Sequence, residues 1–186
     1  MTALKPQGSE LVWHARTFAI AAHEAVGQRR KYTGEPYWRH PEHVASLVET
    51  VCGTSEMVAA AWLHDVVEDT EVTLDTLSEL FGEEVAELVD WLTDRSRPED
   101  GNRATRKRID RDRLAQAPEA AVTIKLADLV SNTSSIAQHD PSFARIYLDE
   151  KRAMLEAMQG GASALRSMAE AALTWAQELV EAHDAQ

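Results

Sequence analysis

The stretch that decides the fold class is residues 57–70, MVAAAWLHDVVEDT. Within it Met57, Ala60, Ala61 and Leu63 follow the three- and four-residue spacing of a helix. The Thr and Ser hydroxyls at residues 54–55 can cap the start of such a helix. The stretch therefore predicts a helix with a His-Asp pair, residues 64–65, at its end.

Most of the remaining chain repeats the same period, and only 8 Gly and 6 Pro are available to interrupt it. We predict an all-α fold: a single-domain helical bundle of about nine helices over residues 1–186, since domains average about 150 residues. The predicted helices cover about 9–30, 41–52, 55–64, 73–82, 83–93, 103–116, 118–136, 140–160 and 162–183.

The last predicted helix, residues 162–183, carries an apolar stripe. The stripe consists of Leu165, Met168, Ala172, Trp175 and Leu179. Steps of three and four residues predict a helix docked on the core. A homodimer interface is the alternative, and the sequence does not separate the two.

Acidic residues outnumber basic ones, with 31 Asp and Glu against 19 Lys and Arg, for a net charge of −12. A general nucleic-acid binder needs a basic face that displaces counterions from phosphates. Anionic membranes likewise attract basic segments. We therefore expect neither nucleic acid nor a membrane as a partner.

Cys52 is the only cysteine, which excludes an intrachain disulfide. Residues 1–10 lack the apolar stretch of a signal peptide. No run of about 18 apolar residues occurs, so no membrane-spanning helix is expected. These features favour a cytoplasmic protein.

Four residues form a candidate metal site: His40, His64, Asp65 and Asp128. His64 and Asp65 are adjacent near a helix end. His40 lies in the turn before the second helix, and Asp128 lies within an apolar helix, where an acid needs a partner. Two imidazoles and two carboxylates suit Mn, Fe, Zn or Ni better than Ca or Mg.

Each of these residues also has an ordinary structural explanation. A histidine before proline is usually a turn residue, and a His-Asp pair occurs by chance in many chains. Asp128 can pair with Lys125 or Lys151 rather than with a metal. The metal hypothesis gains its weight from the surrounding sequence.

Several short motifs surround the four residues in a fixed order. They are Arg30-Lys31, Gly34-Glu35-Pro36-Tyr37, His40-Pro41, His64-Asp-Val-Val-Glu-Asp69-Thr70, Phe81-Gly82-Glu-Glu-Val85 and Lys125-Leu-Ala-Asp128 followed by Asn132. In type and order they resemble the motifs of RelA/SpoT-type HD-domain hydrolases. The resemblance is strongest over residues 19–158, and the closest shape is the small alarmone hydrolase, similar to the metazoan SpoT homologue.

The resemblance implies an HD-domain fold and one divalent metal, usually Mn²⁺. It implies hydrolysis of the 3′-pyrophosphate of guanosine tetra- or pentaphosphate, a small-molecule nucleotide, with release of pyrophosphate. Glu68 and Asp69 would be the catalytic acids, and Asn132 would line the site. The metal ligands implied are His40, His64, Asp65 and Asp128.

The chemistry of the residues agrees with these roles. His64 and Glu68 lie four residues apart, as do Asp65 and Asp69, so each pair shares a face if the helical turn continues. A bound metal makes hydroxide available from water, and an acid beside it can position that water or move a proton.

A substrate with several phosphates also needs cations. Arg30 and Lys31 precede the first metal motif, and residues 103–113, which include Lys107, carry six basic residues against two acidic ones. Arg and Lys side chains there can collect phosphates, although a solvated helix face is the alternative. Tyr147 is a further candidate, since the small hydrolases tend to have an aromatic residue at this place; packing is its alternative.

The sequence departs from the family pattern at two places near the motifs. Leu129 follows Asp128 where the family commonly has Arg or Lys, and the run His23–Gln28 is longer than expected. These departures leave open another nucleotide or a phosphate monoester as substrate. A nucleotide-binding module without turnover is a further alternative, against which the complete ligand and acid set argues.

Overall fold

Ten α-helices make up most of the described chain. The computed structural model describes residues 6–184, apart from the side chains at 134–135, 141–142 and 184. The all-α prediction is confirmed: within these residues β pairing is limited to an isolated bridge between Arg29 and Pro36. The helices are α1 (Gly8–Ala25), α2 (Arg39–Thr50), α3 (Ser55–Leu63), α4 (Val66–Asp69), α5 (Leu74–Phe81), α6 (Glu83–Leu92), α7 (Arg103–Leu114), α8 (Glu119–His139), α9 (Pro141–Ala157) and α10 (Ser163–Asp184), with a 3-10 turn at Pro98–Asp100.

The first helix is shorter than predicted, because it ends at Ala25 rather than near Arg30. Gly27 adopts a φ of 65°, a left-handed conformation that ends helices. The Tyr37 amide then donates to the Gln28 carbonyl oxygen at 3.2 Å. The chain between these two residues therefore folds back on itself, and their side chains start from adjacent backbone.

The helix that the sequence did not predict is α4. The long helix around residues 55–64 ends at Leu63, and a single turn begins at Val66. The Asp69 amide donates to the Asp65 carbonyl oxygen at 3.0 Å, so this turn is helical. The break between the two helices falls on the His-Asp pair.

The chain forms two compact units, one ending at Thr93 and the other beginning at Asp94. In the first unit, α3 packs against α1, α2 and α6. Every residue from Val58 to Leu63 is buried, as expected for a helix that is apolar nearly all round. Thr54 caps α3 by accepting a hydrogen bond from the Met57 amide at 3.2 Å. The single domain over residues 1–186 stays a prediction.

In the second unit, α8 packs against α9 and α10. The turn between α9 and α10 lies directly on α8. Gly161 has a φ of 76°, and a Cβ at this position would lie 2.8 Å from Cγ1 of Val122. Only glycine fits this close approach. The turn is held in addition by Thr123, whose hydroxyl accepts from the Ala162 amide at 3.0 Å.

The helix α10 docks through a different stripe from the predicted one. Met168 is 41% exposed and Trp175 is 40% exposed. The buried stripe consists of Leu165, Ala169, Leu173, Ala176 and Val180. Its small residues let α10 approach its neighbours closely, and this close packing outweighs burial of the larger apolar side chains beside the stripe.

No helix of the described chain is long and apolar enough to cross a bilayer.

The loop before α7 is tied to that helix by a buried carboxylate. Asp110 accepts hydrogen bonds from the amides of Arg95 and Ser96, both at 2.9 Å, and from the Ser96 hydroxyl at 2.7 Å. Asp110 is only 2% exposed, and the hydrogen bonds from these three donors replace the water that its buried carboxyl group has lost. One acidic residue of the basic stretch 103–113 thus has a structural role.

Candidate functional site

Three side chains of the first unit converge: His40, His64 and Asp65. His40 is the second residue of α2, and the other two form the break between α3 and α4. Oδ2 of Asp65 lies 3.1 Å from Nε2 of His64 and 3.5 Å from Nε2 of His40. The candidate ligand atoms lie within 4.8 Å of one another, and both imidazoles are buried. The structure therefore brings together three of the four residues named by the metal hypothesis.

Neighbouring groups orient this cluster. Nδ1 of His64 lies 2.8 Å from the carbonyl oxygen of Ala61. Because a carbonyl only accepts, Nδ1 carries a proton, and in the neutral imidazole that binds metals Nε2 then presents its lone pair towards Asp65. The Tyr37 hydroxyl donates to Oδ2 of Asp65 at 2.6 Å. These hydrogen bonds hold the candidate ligands in place.

The donor set fits a divalent transition metal. The His64 lone pair and the Asp65 carboxylate are two acceptors 3.1 Å apart, a contact that a shared cation makes favourable. Imidazole with carboxylate suits Mn, Fe, Zn or Ni. Three protein ligands also leave coordination positions for water or substrate. These residues could therefore hold a divalent ion.

The two predicted catalytic acids lie on α4, one turn after the cluster. Glu68 and Asp69 are both exposed. Loss of hydration by burial of its carboxyl group raises the pKa of Asp69, and hydrogen bonds from Gln28 and Tyr37 oppose that rise. Asp69 is therefore a carboxylate held by the protein beside the candidate ligands.

Sequence reasoning missed a polar network behind Asp69. Nδ1 of His23 lies 2.7 Å from Oε1 of Gln28, and the ring centroids of His23 and Tyr37 are 4.9 Å apart. Tyr37 belongs to one of the motifs, but the sequence predicted no role for its side chain. Gln28 fell inside the helix predicted to reach Arg30, where its side chain would have pointed elsewhere. The usable signal was Gly27, a helix terminator between two polar residues.

Arg30 and Lys31, which were predicted to bind phosphates, each contact a different tyrosine. The Arg30 guanidinium lies 6.0 Å from the ring centroid of Tyr37, which contacts Asp65. Nζ of Lys31 donates to the Tyr32 hydroxyl at 3.1 Å. Tyr37 thus lies between Arg30 and the cluster, and Lys31 is exposed on the surface of the loop.

Asp128 and Asn132 lie in the second unit, on α8. Nδ2 of Asn132 donates to Oδ1 of Asp128 at 2.6 Å, and Nζ of Lys125 lies 2.8 Å from Oδ2. Asp128 is 5% exposed. The pairing with Lys125 is the structural alternative named from the sequence, and the carboxylate retains acceptor capacity beyond these two donors.

A group of lysines surrounds this part of the second unit. Nζ of Lys107 lies 2.6 Å from Oδ2 of Asp94. Nζ of Lys151 lies 5.1 Å from the ring centroid of Tyr147. Burial first, and then the charges of Lys125 and Lys107, lower the pKa of Lys151 to about 8. Three predicted substrate contacts lie in this unit, and two of them, Lys107 and Tyr147, are close to Lys151 or act on its charge. Lys151 itself was not predicted as a site residue.

The rest of the basic stretch 103–113 is less uniform than its charge suggests. Arg103 makes two hydrogen bonds of 2.7 Å to Glu150. Its guanidinium also lies 5.2 Å from the ring centroid of Phe143. Arg103 is therefore occupied by a structural ion pair, whereas Arg108 is exposed.

The family model described as "HD domain" matches residues 15–169. This range contains the cluster of His40, His64 and Asp65, both acids and Asp128. The chain belongs to the HD-domain family. The HD-domain fold predicted from the motifs is thereby confirmed.

Two relatives of this HD-domain chain carry the name of a hydrolase. It is 35% identical over 139 residues to the guanosine-3′,5′-bis(diphosphate) 3′-pyrophosphohydrolase MESH1 of Mus musculus, covering 73% of this chain and 75% of the relative. It is 36% identical over 138 residues to a probable guanosine-3′,5′-bis(diphosphate) 3′-pyrophosphohydrolase of Synechocystis sp.. That match covers 73% of this chain but spans only 18% of the relative.

A solved structure of a metazoan orthologue of SpoT that hydrolyses ppGpp has the same fold. The TM-score is 0.79 at 26% identity, and the match covers 93% of this chain and 98% of that chain. The similarity to that structure thus extends over nearly the whole length of both proteins.

Proposed function

We propose that this HD-domain protein is a metal-dependent hydrolase that removes the 3′-pyrophosphate of guanosine tetra- or pentaphosphate. The observation that carries the proposal is the cluster of His40, His64 and Asp65, with two acids one helical turn later. The relatives named above support the choice of substrate. The chemistry would yield pyrophosphate and GDP or GTP.

We propose Mn²⁺ as the ion and Asp128 as a fourth ligand. Asp128 is chosen because of its motif, and a second carboxylate would balance the ion's charge. When bound, the ion would make hydroxide available from water and offset charge on the phosphate. His64 fits this role because its Nδ1 proton is engaged by Ala61.

The protein's own groups would manage the protons. Water attacks the phosphorus attached to O3′, and the bond between that phosphorus and O3′ breaks. Asp69 is proposed to hold the water and accept its proton, while the exposed Glu68 helps to place it. The departing O3′ takes up a proton, which balances the hydrolysis.

The remaining proposed contacts bind the substrate. Arg30, Lys31 and Lys107 would pair with phosphates, since Arg and Lys side chains bind them through charge and hydrogen bonds. Asn132 would line the site and Tyr147 would contact the nucleoside. Leu129 is 1% exposed and lies in the interior of its unit, so this departure from the family pattern adds to the core there.

The test is hydrolysis of guanosine tetraphosphate by the purified protein, with Mn²⁺ and with EDTA. We expect Mn-dependent release of pyrophosphate and GDP, and no product in EDTA, because the nucleophile depends on the ion. Release of orthophosphate from a nucleotide monophosphate instead would favour the phosphate-monoester alternative. Binding without turnover of any nucleotide would contradict the proposal.

Lys151 gives a second prediction within this proposal. In Lys151→Met we expect KM for guanosine tetraphosphate to rise about tenfold with kcat within about twofold, as when a binding contact is lost in ground and transition states alike. The lowered pKa of Lys151, about 8, means that its charge is present at neutral pH and is lost as the pH rises through that value. KM of the unaltered protein should therefore rise above pH 8, and the variant should lack this rise.

Arg108→Met is the matched control, because it removes an exposed cation from the same unit. An equal rise of KM in both variants would mean that only overall charge matters. An unchanged KM in Lys151→Met would remove this lysine from the substrate site.

Assembly into a homodimer and a location in the cytoplasm stay predictions from the sequence. The same holds for the expectation that neither nucleic acid nor a membrane is a partner. Met168 and Trp175, which are exposed on α10, are the surface on which the dimer can be tested.

A further inference from the structure

His23 has no role in the chemistry described so far, yet it is the buried end of a polar chain. It is 1% exposed, and its Nδ1 lies 2.7 Å from Oε1 of Gln28. Gln28 in turn hydrogen-bonds Asp69. His23, Gln28 and Asp69 therefore form a continuous line from the end of α1 to the proposed catalytic acid.

The proton on His23 can be located from its contacts. Its Nε2 is buried and has no hydrogen-bond partner among the described residues. A proton there would be a buried donor without an acceptor, which is costly, whereas a bare lone pair costs less. The proton therefore sits on Nδ1, which donates to Oε1 of Gln28.

This donation fixes the orientation of the Gln28 amide. With Oε1 turned to His23, the NH₂ group of Gln28 faces Asp69 and can only donate to it. A flipped amide would place its oxygen against the Asp69 carboxylate and its NH₂ against the Nδ1 proton. His23 therefore excludes the orientation in which Gln28 repels an ionised Asp69.

Tyr37 cannot replace Gln28 in this task. Its hydroxyl lies within hydrogen-bonding reach of both Asp65 and Asp69, but it has one proton. That proton is given to Asp65 at 2.6 Å. Gln28 thus gives Asp69 a donor that is not shared with Asp65, whereas the Tyr37 hydroxyl is shared between the two carboxylates.

We infer that His23 and Gln28 are positioning residues: His23 locks the Gln28 amide so that it holds the Asp69 carboxylate in its reactive orientation. The inference rests on the proposed function of Asp69. Gly27, with a φ of 65°, turns the chain so that the side chains of His23 and Gln28 meet.

The experiment compares three variants in the Mn-loaded protein with guanosine tetraphosphate. His23→Leu and Gln28→Leu should each lower kcat by about tenfold to a hundredfold while KM and Mn²⁺ affinity stay within about twofold. His23→Asn should recover most of kcat, because an Asn amide can place a donor where Nδ1 was. The double Leu variant should be no slower than the worse single one, since both break the same chain.

The tautomer provides a readout apart from activity. Side-chain ¹⁵N NMR of the metal-free protein should show a proton on Nδ1 of His23 and none on Nε2, in signals assigned by their absence in His23→Asn. In Gln28→Leu this proton should lose its hydrogen-bonded shift.

Several outcomes would overturn the inference. They are a proton on Nε2, a His23→Asn variant as slow as His23→Leu, or a loss of Mn²⁺ that parallels the loss of kcat. If His23→Leu fails to fold, Gln28→Leu decides alone, because Gln28 lies in a half-buried turn. Absence of turnover in the unaltered protein would instead refute the proposed function, and the NMR result would still judge the hydrogen-bond chain.

Discussion

His64→Ala is expected to lose bound metal and to lower kcat by more than about a hundredfold, since even changes to groups behind metal ligands commonly cost about 10- to 100-fold. His64 is 1% exposed, and its Nε2 lies 3.1 Å from Asp65 with Nδ1 fixed by Ala61. Alanine removes one of three converging donors and offers none in return. Metal content by elemental analysis and kcat in Mn²⁺ measure the two effects.

A thermal titration separates metal loss from misfolding. An ion that binds only the folded chain stabilises it in proportion to the logarithm of its concentration over Kd. The melting temperature of the unaltered protein should therefore rise with added Mn²⁺, whereas that of His64→Ala should stay flat. His14→Ala, which removes a histidine of α1 outside the cluster, should behave like the unaltered protein. Full metal occupancy in His64→Ala would remove His64 from the ligand set.

The helices were predictable because most of them show an apolar face. Thr54 and the apolar run after it fixed the start of α3, and the structure places the cap there. The order of the motifs predicted the HD fold without any tertiary information, because the candidate ligands and the residues around them resemble the family's motifs in type and in order along the chain. His40 and His64 meet since α2 and α3 pack side by side.

Local backbone conformation and packing choices were not predictable in the same way. The end of α1 depends on a positive φ at Gly27, and hydrophobic periodicity does not fix the exact residue at which a helix ends. In α10 two stripes compete, and the one with Ala169 and Ala176 wins because small residues allow close approach. Trp175 is larger than these alanines and could bury more apolar area, but its side chain stays partly exposed to solvent. The choice depends on the shape of the partner surface, which no single helix encodes.

The network behind Asp69 was missed for a related reason. Contacts such as His23 to Gln28 need a turn of defined geometry, and hydrophobic periodicity carries no information about turns. The site's carboxylates and imidazoles are recognisable by type, whereas the amide and hydroxyl that orient them are common on any surface. Sequence reasoning therefore found the candidate ligands and the acids, but not the groups that aim them.

Asp69→Asn is expected to lower kcat by about a hundredfold to ten thousandfold with Mn²⁺ still bound, the range typical of a lost general base. The amide has the same shape but cannot accept the water's proton. Because partial loss of hydration raises the pKa of Asp69, its carboxylate takes up a proton at a higher pH than an unperturbed aspartate does. The acid side of the pH profile of kcat should therefore include this group, and activity should fall as the pH drops through its pKa.

The Asp69→Asn variant tests both the role of Asp69 as general base and its contribution to the pH profile of kcat. In Asp69→Asn the residual kcat should no longer carry the ionisation of Asp69, while metal content stays full, because the three converging ligands are intact. Asp75→Asn, an exposed carboxylate in the first turn of α5, is the control and should leave kcat unchanged. If Asp69→Asn keeps a third or more of the activity while Glu68→Gln abolishes it, the base is Glu68. The positioning chain from His23 would then lack its catalytic target, because the inference places its amide on Asp69.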